Sequence, residues 1–555
     1  MTTNSHRNVP PLAGLCSFEE AQRARLSVEE CVGWMKRLHY VLARLHEMLT
    51  ARITAEPVYE LKTAFSLHAY LCAEHASAYR QRVSELREPP LGLDVVPHQA
   101  LKLLCDEVLC SPSHVELVVG IYEVIVPALI DSLQRYQATT NLLADAPSVR
   151  VNRFCLLELA DMRTFGQQAA ECLVDDAARE RLAPWVALLS KCIESAGGVS
   201  GQHGEAMVTL VPSPPSSGER ARVRGPSGDD GLLDKDRFRT SSNSVGESLE
   251  TISPPHPNPL PPKAGGEGTR LADSSVTSLF TSPSTVNLRP STLLPHFSAT
   301  PFQYDPVPKR DARFTDSYNA GVNPEAFLYD DRFAARDKVL MMLYKRLREI
   351  DVPEMMASII HQTKGKPWKF YRDMSRQLWD EARHAMLGEV GFVHLGIDWP
   401  QIPINFTWSL NLNTQLTSQE RHAVLFFIEQ GLMPRRGKRY EWEVGQASGV
   451  PLSALFQDFD WADEVLHAQI GREWYVKDYG DLNAALAYGD RCWSKVLSHW
   501  RTYLDQGLTE HLNWWPDIYQ AACQHWGVTP DPVALAFDTT YETIRADLAD
   551  ISASG

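Results

Sequence analysis

No run in this 555-residue chain is apolar for long enough to cross a bilayer. The most apolar stretch, HVELVVGIYEVIVPALI, carries Glu116 and Glu123 inside it, whereas a span needs about 20 predominantly apolar positions. The opening residues, MTTNSHRNVPPLAG, lack the basic-then-apolar layout of a secretory signal. The chain is therefore expected to be soluble and cytoplasmic, with no membrane partner. Its ten cysteines show no CxxC or zinc-finger spacing, and eight of them lie at or before Cys192. They are expected to be buried, reduced thiols rather than a disulfide framework. Basic runs are absent too: 54 Lys and Arg stand against 69 Asp and Glu, a formal net charge of −15. Nothing offers the footprint of a nucleic-acid binder.

What the chain does contain is ordinary globular composition, 44% hydrophobic and 22% charged. At this length one compact core is not expected, and two domains are the natural division. Composition changes at Gly197, and from there to about Thr300 the sequence reads PSPPSSGERARVRGPSGDDG and then SPPHPNPLPPKAGGEGTR. Such a segment has too little apolar surface to offset its ordering entropy and is expected to be a disordered linker or insertion. Its PHPNPLP and GEGT wording resembles translated bacterial intergenic repeats, which implies an accidental insertion rather than a binding motif.

Both flanks carry helical periodicity. Residues 1–196 contain four long segments, among them VEECVGWMKRLHYVLARLHEMLTARI and VRVNRFCLLELADMRTFGQQAAECL, with apolar residues at intervals of three and four. Residues 301–555 contain four more: FAARDKVLMMLYKRLREIDVPEMMASIIHQ, PWKFYRDMSRQLWDEARHAMLGEVGF, TSQERHAVLFFIEQGLMP and PLSALFQDFDWADEVLHAQIGREWYV. The segments DLNAALAYGDRCWSKVLSHWRTYLDQ and TYETIRADLADIS extend this second part. The expected fold is all-α, a tandem of helical bundles joined by the linker.

Within the second bundle one pattern occurs twice. Asp380-Glu381-Ala-Arg-His384-Ala385-Met-Leu-Gly388 and Asp463-Glu464-Val-Leu-His467-Ala468-Gln-Ile-Gly471 agree at Asp, Glu, His, Ala and Gly. A single Glu-x-x-His arises easily on a charged helix face. Two with matched flanks, on the second and fourth helices of one bundle, point to chemistry. Residues i and i+3 project from the same side of a helix, so a carboxylate oxygen and an imidazole nitrogen can reach one ion. The Ala and Gly remove bulk where a facing helix must approach.

A dinuclear carboxylate site takes a Glu from each of two helices and a Glu-x-x-His pair from each of the other two. On the paired DExxHA motif, residues 325–476 resemble the ferritin-like di-iron carboxylate superfamily, which includes bacterioferritin and the ribonucleotide reductase small subunit. The resemblance implies a ferritin-like four-helix bundle with metal ligands Glu381, His384, Glu464 and His467. For the first helix, Glu354 shares a stripe with Leu347, Ile350, Ala357 and Ser358 and is preferred. Glu349 remains the alternative because it better fits the family's separation of a little over 30 residues. Pro353 adds an expected kink or new start there. For the third helix, Glu429 has Leu425, Phe426, Leu432 and Met433 around it, where a carboxylate is costly unless a partner neutralises it. Glu420 is the alternative, although an acid in the opening turn suits a helix N-terminus without any metal. The resemblance further implies that Asp380 and Asp463 accept the outer ring N–H of His467 and His384 respectively.

The first bundle holds a fainter version of this pattern. Glu74, His75 and His68 lie on one helix with Cys72 where a ligand Glu would be, and Glu158 is followed three residues later by Asp161. A scaffold role follows, suited to packing on its partner or to a homodimer surface. Two Fe ions, or Mn or a mixed pair, suit the donor set. The function implied is an O₂-dependent oxidase or oxygenase of an unidentified small molecule, with iron handling or a non-catalytic metal-binding or interaction module as alternatives. Tyr371 and Trp379 are either redox relays or packing aromatics.

Overall fold

The computed structural model describes residues 19, 22, 25–202, 204, 208–210, 292–294, 297–314, 321–404, 407–434, 437–497 and 513–540. Most of the expected linker, and the closing segment after Thr540, lie outside them. The fold is all-α apart from one short pair of parallel strands, Val208–Leu210 with Thr292–Leu294, in which Val208 is opposite Thr292.

Local chemistry starts the helices. Ser27 opens α1 (Val28–Arg52) with a reciprocal cap, its hydroxyl accepting from the Glu30 N–H while the Glu30 carboxylate accepts from Ser27 N–H at 2.8 Å. Next come α2 (Tyr59–Leu86) and α3 (Gln99–Leu109). A helix beginning His114–Val118 then widens into the π-helical stretch Val119–Ile125 and continues as α4 (Val126–Thr139). The N-terminal part ends with α5 (Ala146–Leu173) and α6 (Asp176–Ser195).

The C-terminal part begins with α7 (Ala335–Leu347), a 3₁₀ turn Arg348–Asp351 and α8 (Val352–Gln362). It continues with α9 (Trp368–His394), α10 (Thr407–Gln415), α11 (Ser418–Gly431) and α12 (Lys438–Ala447). After these come α13 (Pro451–Gly471), α14 (Leu482–Leu497) and α15 (Trp515–Trp526). Helix α9 packs on α7, α8 and α13, and α11 packs on α8, α13 and α14. The apolar face of α9 explains its central place: Phe370, Met374 and Leu378 are fully buried, each contributing about 1.5–3 kcal/mol of transfer free energy.

The described residues on the two sides of the linker form one compact unit. Division into an independent 1–196 domain and a 301–555 domain does not describe this packing. Helix α2 lies against α9, and α1 against α8, so a single apolar cluster runs from Leu38 and Phe65 to Met356 and Leu378. Polar contacts pin the same seam. Trp368 donates its indole N–H to the Ala73 carbonyl at 3.1 Å, and His46 Nε2 lies 2.8 Å from Ser375 Oγ.

Several histidines in this core are held neutral. Burial pushes His46 and His68 down to about 3, and His39, His361 and His422 down to about 4. Each binds a proton more readily when unfolded, so its contribution to stability is present above about pH 6.5 and is lost as the pH falls toward the folded value. Burial acts in the opposite sense on Glu56 and Asp351, both raised to about 7. Glu429 is raised as well, and the five histidines outweigh these three carboxyls. The melting temperature, followed by helical circular dichroism, is therefore expected to fall steadily from pH 6.5 to pH 4; a flat or rising profile would contradict the neutral, buried state of these rings.

Candidate metal centre

Two clusters of potential ligands meet between α7, α9, α11 and α13. Glu349, His384 and Asp460 bring one ligand atom each within 4.8 Å of one another, and so do Glu381, Glu429 and His467. His384 Nδ1 lies 3.2 Å from Glu349 Oε2, 3.7 Å from Asp460 Oδ1 and 3.9 Å from Glu381 Oε2. His467 Nδ1 lies 3.2 Å from Glu381 Oε1, 3.5 Å from Glu464 Oε2 and 3.9 Å from Glu429 Oε1. The Glu381 carboxylate thus stands between the two imidazoles, whose ring centres are 5.9 Å apart.

The two rings are oriented from behind. His384 Nε2 is 3.2 Å from Asp463 Oδ2 and His467 Nε2 is 3.4 Å from Asp380 Oδ2. Each aspartate comes from the helix opposite the histidine it contacts. As neutral ligands with the proton on Nε2, both rings would turn the Nδ1 lone pair to the centre. Arg376 and Arg383 bond Asp380 in turn, and Arg383 also reaches Asp463 at 2.7 Å. These partners and His467 overcome burial and hold Asp380 down to about 2.

Inside the cluster, Glu349 Oε2, Glu381 Oε1, Glu464 Oε2, His384 Nδ1 and His467 Nδ1 are all buried without a hydrogen-bond partner. Five such atoms facing one small volume is unusual, since buried polar atoms are nearly always paired. Charge is crowded as well. Five carboxylates, Glu349, Glu381, Glu429, Asp460 and Glu464, stand against the cations Arg346 and Lys438. Lys438 Nζ is 2.9 Å from Asp460 Oδ2 and 2.8 Å from Glu464 Oε1. Arg346 bonds Glu349 at 2.8 Å and also Asp460.

Protons make up the difference in the metal-free protein. Burial would lower His384, yet its contact with Asp463 and the negative charge of Glu349 and Asp460 beside it push it up to about 9. Burial is likewise outweighed at His467 by Asp380, Glu381 and Glu464, which hold it well above the usual range. Burial and the neighbouring Glu464 drive Glu429 far up. Glu464 is held well down: burial opposes this, and Lys438 with the neighbouring Glu429 and His467 prevail.

A cavity of about 370 Å³ reaches the cluster, with Glu349, Glu381, Glu429 and Glu464 on its wall. The rest of its lining is mainly apolar and includes Leu412, Leu425, Ile428 and Leu497. Trp408 and Trp493 line it too, meeting edge-on with ring centres 4.3 Å apart. The cations on the wall, Lys345, Arg346 and Arg348, are each paired with a carboxylate: Glu441, Glu349 and Glu325 respectively.

Comparisons with protein-family models, with curated proteins and with solved structures found no match, so the geometry alone carries the assignment below.

Of the residues named from the sequence, Glu381, His384, Glu429, Glu464 and His467 come together, with Asp380 and Asp463 behind the rings. Glu354 does not join them. Its carboxylate bonds Lys62, takes Arg310 Nη1 at 2.5 Å and accepts from Ser409 Oγ at 2.6 Å. Its position is taken by Glu349, which shares a face with Lys345 and Arg346, and that face is buried against the cluster. Glu420 stays at the start of α11, where its carboxylate accepts the Thr417 N–H at 2.8 Å. Tyr371 donates to the Thr363 carbonyl at 2.9 Å, and its ring packs with Trp368 and Phe370. Trp379 is half-buried. In the N-terminal part His68 bonds Tyr122 at 2.7 Å and His75 pairs with Glu158 at 2.6 Å. Among the described residues no grouping of three ligands forms there.

Asp460, Lys438 and Arg346 were not named from the sequence. Asp460 had a signal: it lies one turn before Glu464 and two before His467, on their stripe. The motif glycines show why the helices meet so closely. A Cβ on Gly388 would run into the Leu343 and Leu347 backbone, and one on Gly471 into the Phe426 ring. The exchange Gly388→Ala is expected to cost about 1–3 kcal/mol of stability by forcing α9 from α7, measured by urea unfolding against an exposed control such as Gly431→Ala; equal effects at both positions would refute the close approach.

Proposed function

We propose that this chain is a ferritin-like di-iron carboxylate protein, an O₂-dependent oxidase or oxygenase acting on an uncharged, apolar small molecule. One observation carries the reading: five buried donor atoms without partners converge from α9, α13 and the 3₁₀ turn. Glu349, His384 and Asp460 would hold one ion and Glu381, Glu429 and His467 the other, with Glu464 Oε2 beside the second. Carboxylate oxygens and imidazole nitrogens suit Fe(II), and equally Mn or a mixed pair. Bound iron supplies the electron transfer to O₂ that these side chains cannot.

The chain's own residues do the rest. Asp463 and Asp380 fix the ring tautomers and raise their basicity as ligands. The apolar cavity presents a substrate to the acidic wall while keeping water out. Because its cations are already paired, an anionic substrate finds no free counter-charge there, which favours an uncharged one.

A metal-free reading also has an observation behind it. Protons on His384, His467 and Glu429, together with Arg346 and Lys438, neutralise the cluster without any ion. Metal analysis separates the two. After reconstitution with excess Fe(II) and removal of loosely bound metal, two irons per chain are expected, and the reduced protein should consume O₂. His467→Ala and Glu381→Ala should lose at least half of the iron, and Glu349→Gln should retain about one ion per chain. Glu354→Gln should keep both. Chains carrying no iron would sink the proposal, and many irons per chain would point to storage.

The cavity gives a second test. Leu412→Trp should fill it and abolish substrate-stimulated O₂ consumption while leaving the iron content unchanged; full stimulation with the Trp in place would remove the cavity from the mechanism.

A further inference from the structure

We infer that the two ion positions are unequal, the Glu381–Glu429–His467 position filling first, and that Lys438 and Arg346 set the difference. The inference rests on the metal reading above and goes beyond it, since the duplicated motif by itself suggests two equivalent positions.

The inequality lies in what surrounds each set of donors. At the first position Glu349 has Oε1 engaged by Arg346 at 2.8 Å, leaving only Oε2. Both Asp460 oxygens are engaged, Oδ1 by Arg346 and Lys438 and Oδ2 by Lys438 at 2.9 Å. A divalent ion here must compete with two buried cations for the same oxygens. It must also sit close to like charge in a medium that screens weakly.

The second position is different. Glu381 Oε1 and Glu464 Oε2 are both without hydrogen-bond partners, and His467 Nδ1 is as open as His384 Nδ1 is at the first position. Glu429 is bonded by a neutral group, the Gln377 amide, at 3.1 Å. Lys438 at 2.8 Å and Arg346 at 3.9 Å reach this side only through the far oxygen of Glu464, Oε1. More donor atoms are available, and less positive charge opposes an incoming ion.

The source of the cations accounts for the asymmetry. Arg346 ends α7, next to the 3₁₀ turn that carries Glu349. Lys438 opens α12, a helix outside the duplicated pair and packed against α13 on the Asp460 side. Among the described residues no such buried cation is bonded to Gln377 or Glu429, where α9 and α11 supply an amide and apolar residues. The motif is two-fold but its electrostatic surroundings are not.

Manganese(II) titration of the metal-free, full-length chain tests this, with free Mn(II) read by its electron paramagnetic resonance signal. One ion per chain is expected to bind first, and the second only at free Mn(II) on the order of tenfold higher or more. His384→Ala should abolish the weak class and keep the tight one. His467→Ala should do the reverse. Lys438→Met should tighten the weak class about tenfold, leave the tight class within about threefold, and enlarge the rise in melting temperature produced by Mn(II). Should Lys438→Met fail to give a helical spectrum, Lys438→Gln and the two histidine variants, checked the same way, decide the matter. Two ions bound with indistinguishable affinity would overturn the inference and leave the metal reading standing, as would loss of the tight class in His384→Ala. No bound Mn(II) at all would overturn both.

Discussion

A carboxylate buried without a counter-charge costs several kcal/mol, and the C-terminal part of this chain buries five of them in one place. That cost organises the architecture around them. Lys438 and Arg346 are drawn fully inside, where such residues are rarely found unless paired. Asp380 and Asp463 sit behind the imidazoles with arginines of their own, so that the outer charges are matched at the surface and the inner ones face the centre. Small residues at Ala385, Gly388, Ala468 and Gly471 let the helices close on the cluster. Each of these choices would be wasteful in a bundle held together by apolar packing alone.

The centre was largely legible in the sequence because helix geometry is local. Glu381, His384, Glu464 and His467 follow from spacing of three on one face, and the repetition separates them from the acids and histidines that any charged helix carries. Glu429 was legible from the cost of an acid among Leu425, Phe426 and Leu432. Glu349 was legible only as the alternative to Glu354, for a physical reason: Lys345 and Arg346 on its face read as solvated charge, whereas both are buried. The four residues of the 3₁₀ turn Arg348–Asp351 each advance about 120° rather than about 100°, and the drift of about 80° carries Glu354 off the face that Glu349 shares with Arg346. Pro353, in the first turn of α8, marks the break, but its effect on phase cannot be read from residue types. Lys438 was hidden for another reason. A basic residue opening a short polar helix reads as solvated surface until the neighbouring acids are placed in space.

The seam between the two parts of the chain shows the same physics with a different outcome. Glu354 is as buried as the cluster acids, but it meets Lys62 from α2 and Arg310 from the segment after the linker. It closes a structural contact between segments that the sequence reading treated as separate domains. Division at the linker followed from composition, and composition describes the inserted segment without revealing that the chain on either side shares one core. The weak echo of the motif in the N-terminal part has ordinary partners in the structure: His75 with Glu158, and His68 with Tyr122. The same residue types meet there in pairs, and among the described residues no third ligand joins them.

Under the proposed function, chemical selectivity would follow from how one helix divides its faces. On α11 a single acid, Glu429, turns toward α9 and α13, while Leu425 and Ile428 border the cavity beside it. The polar group is thus presented at the edge of an apolar chamber. Under the proposed function the reacting centre and the substrate-holding surface would be contiguous, set by residues one turn apart on the same rigid element. A substrate would gain by burying apolar surface and would have no free ion-pairing group to exploit, because the wall's cations already serve the carboxylates that the fold had to neutralise. The charge balance that makes the cluster tolerable in the core therefore also narrows what can bind beside it.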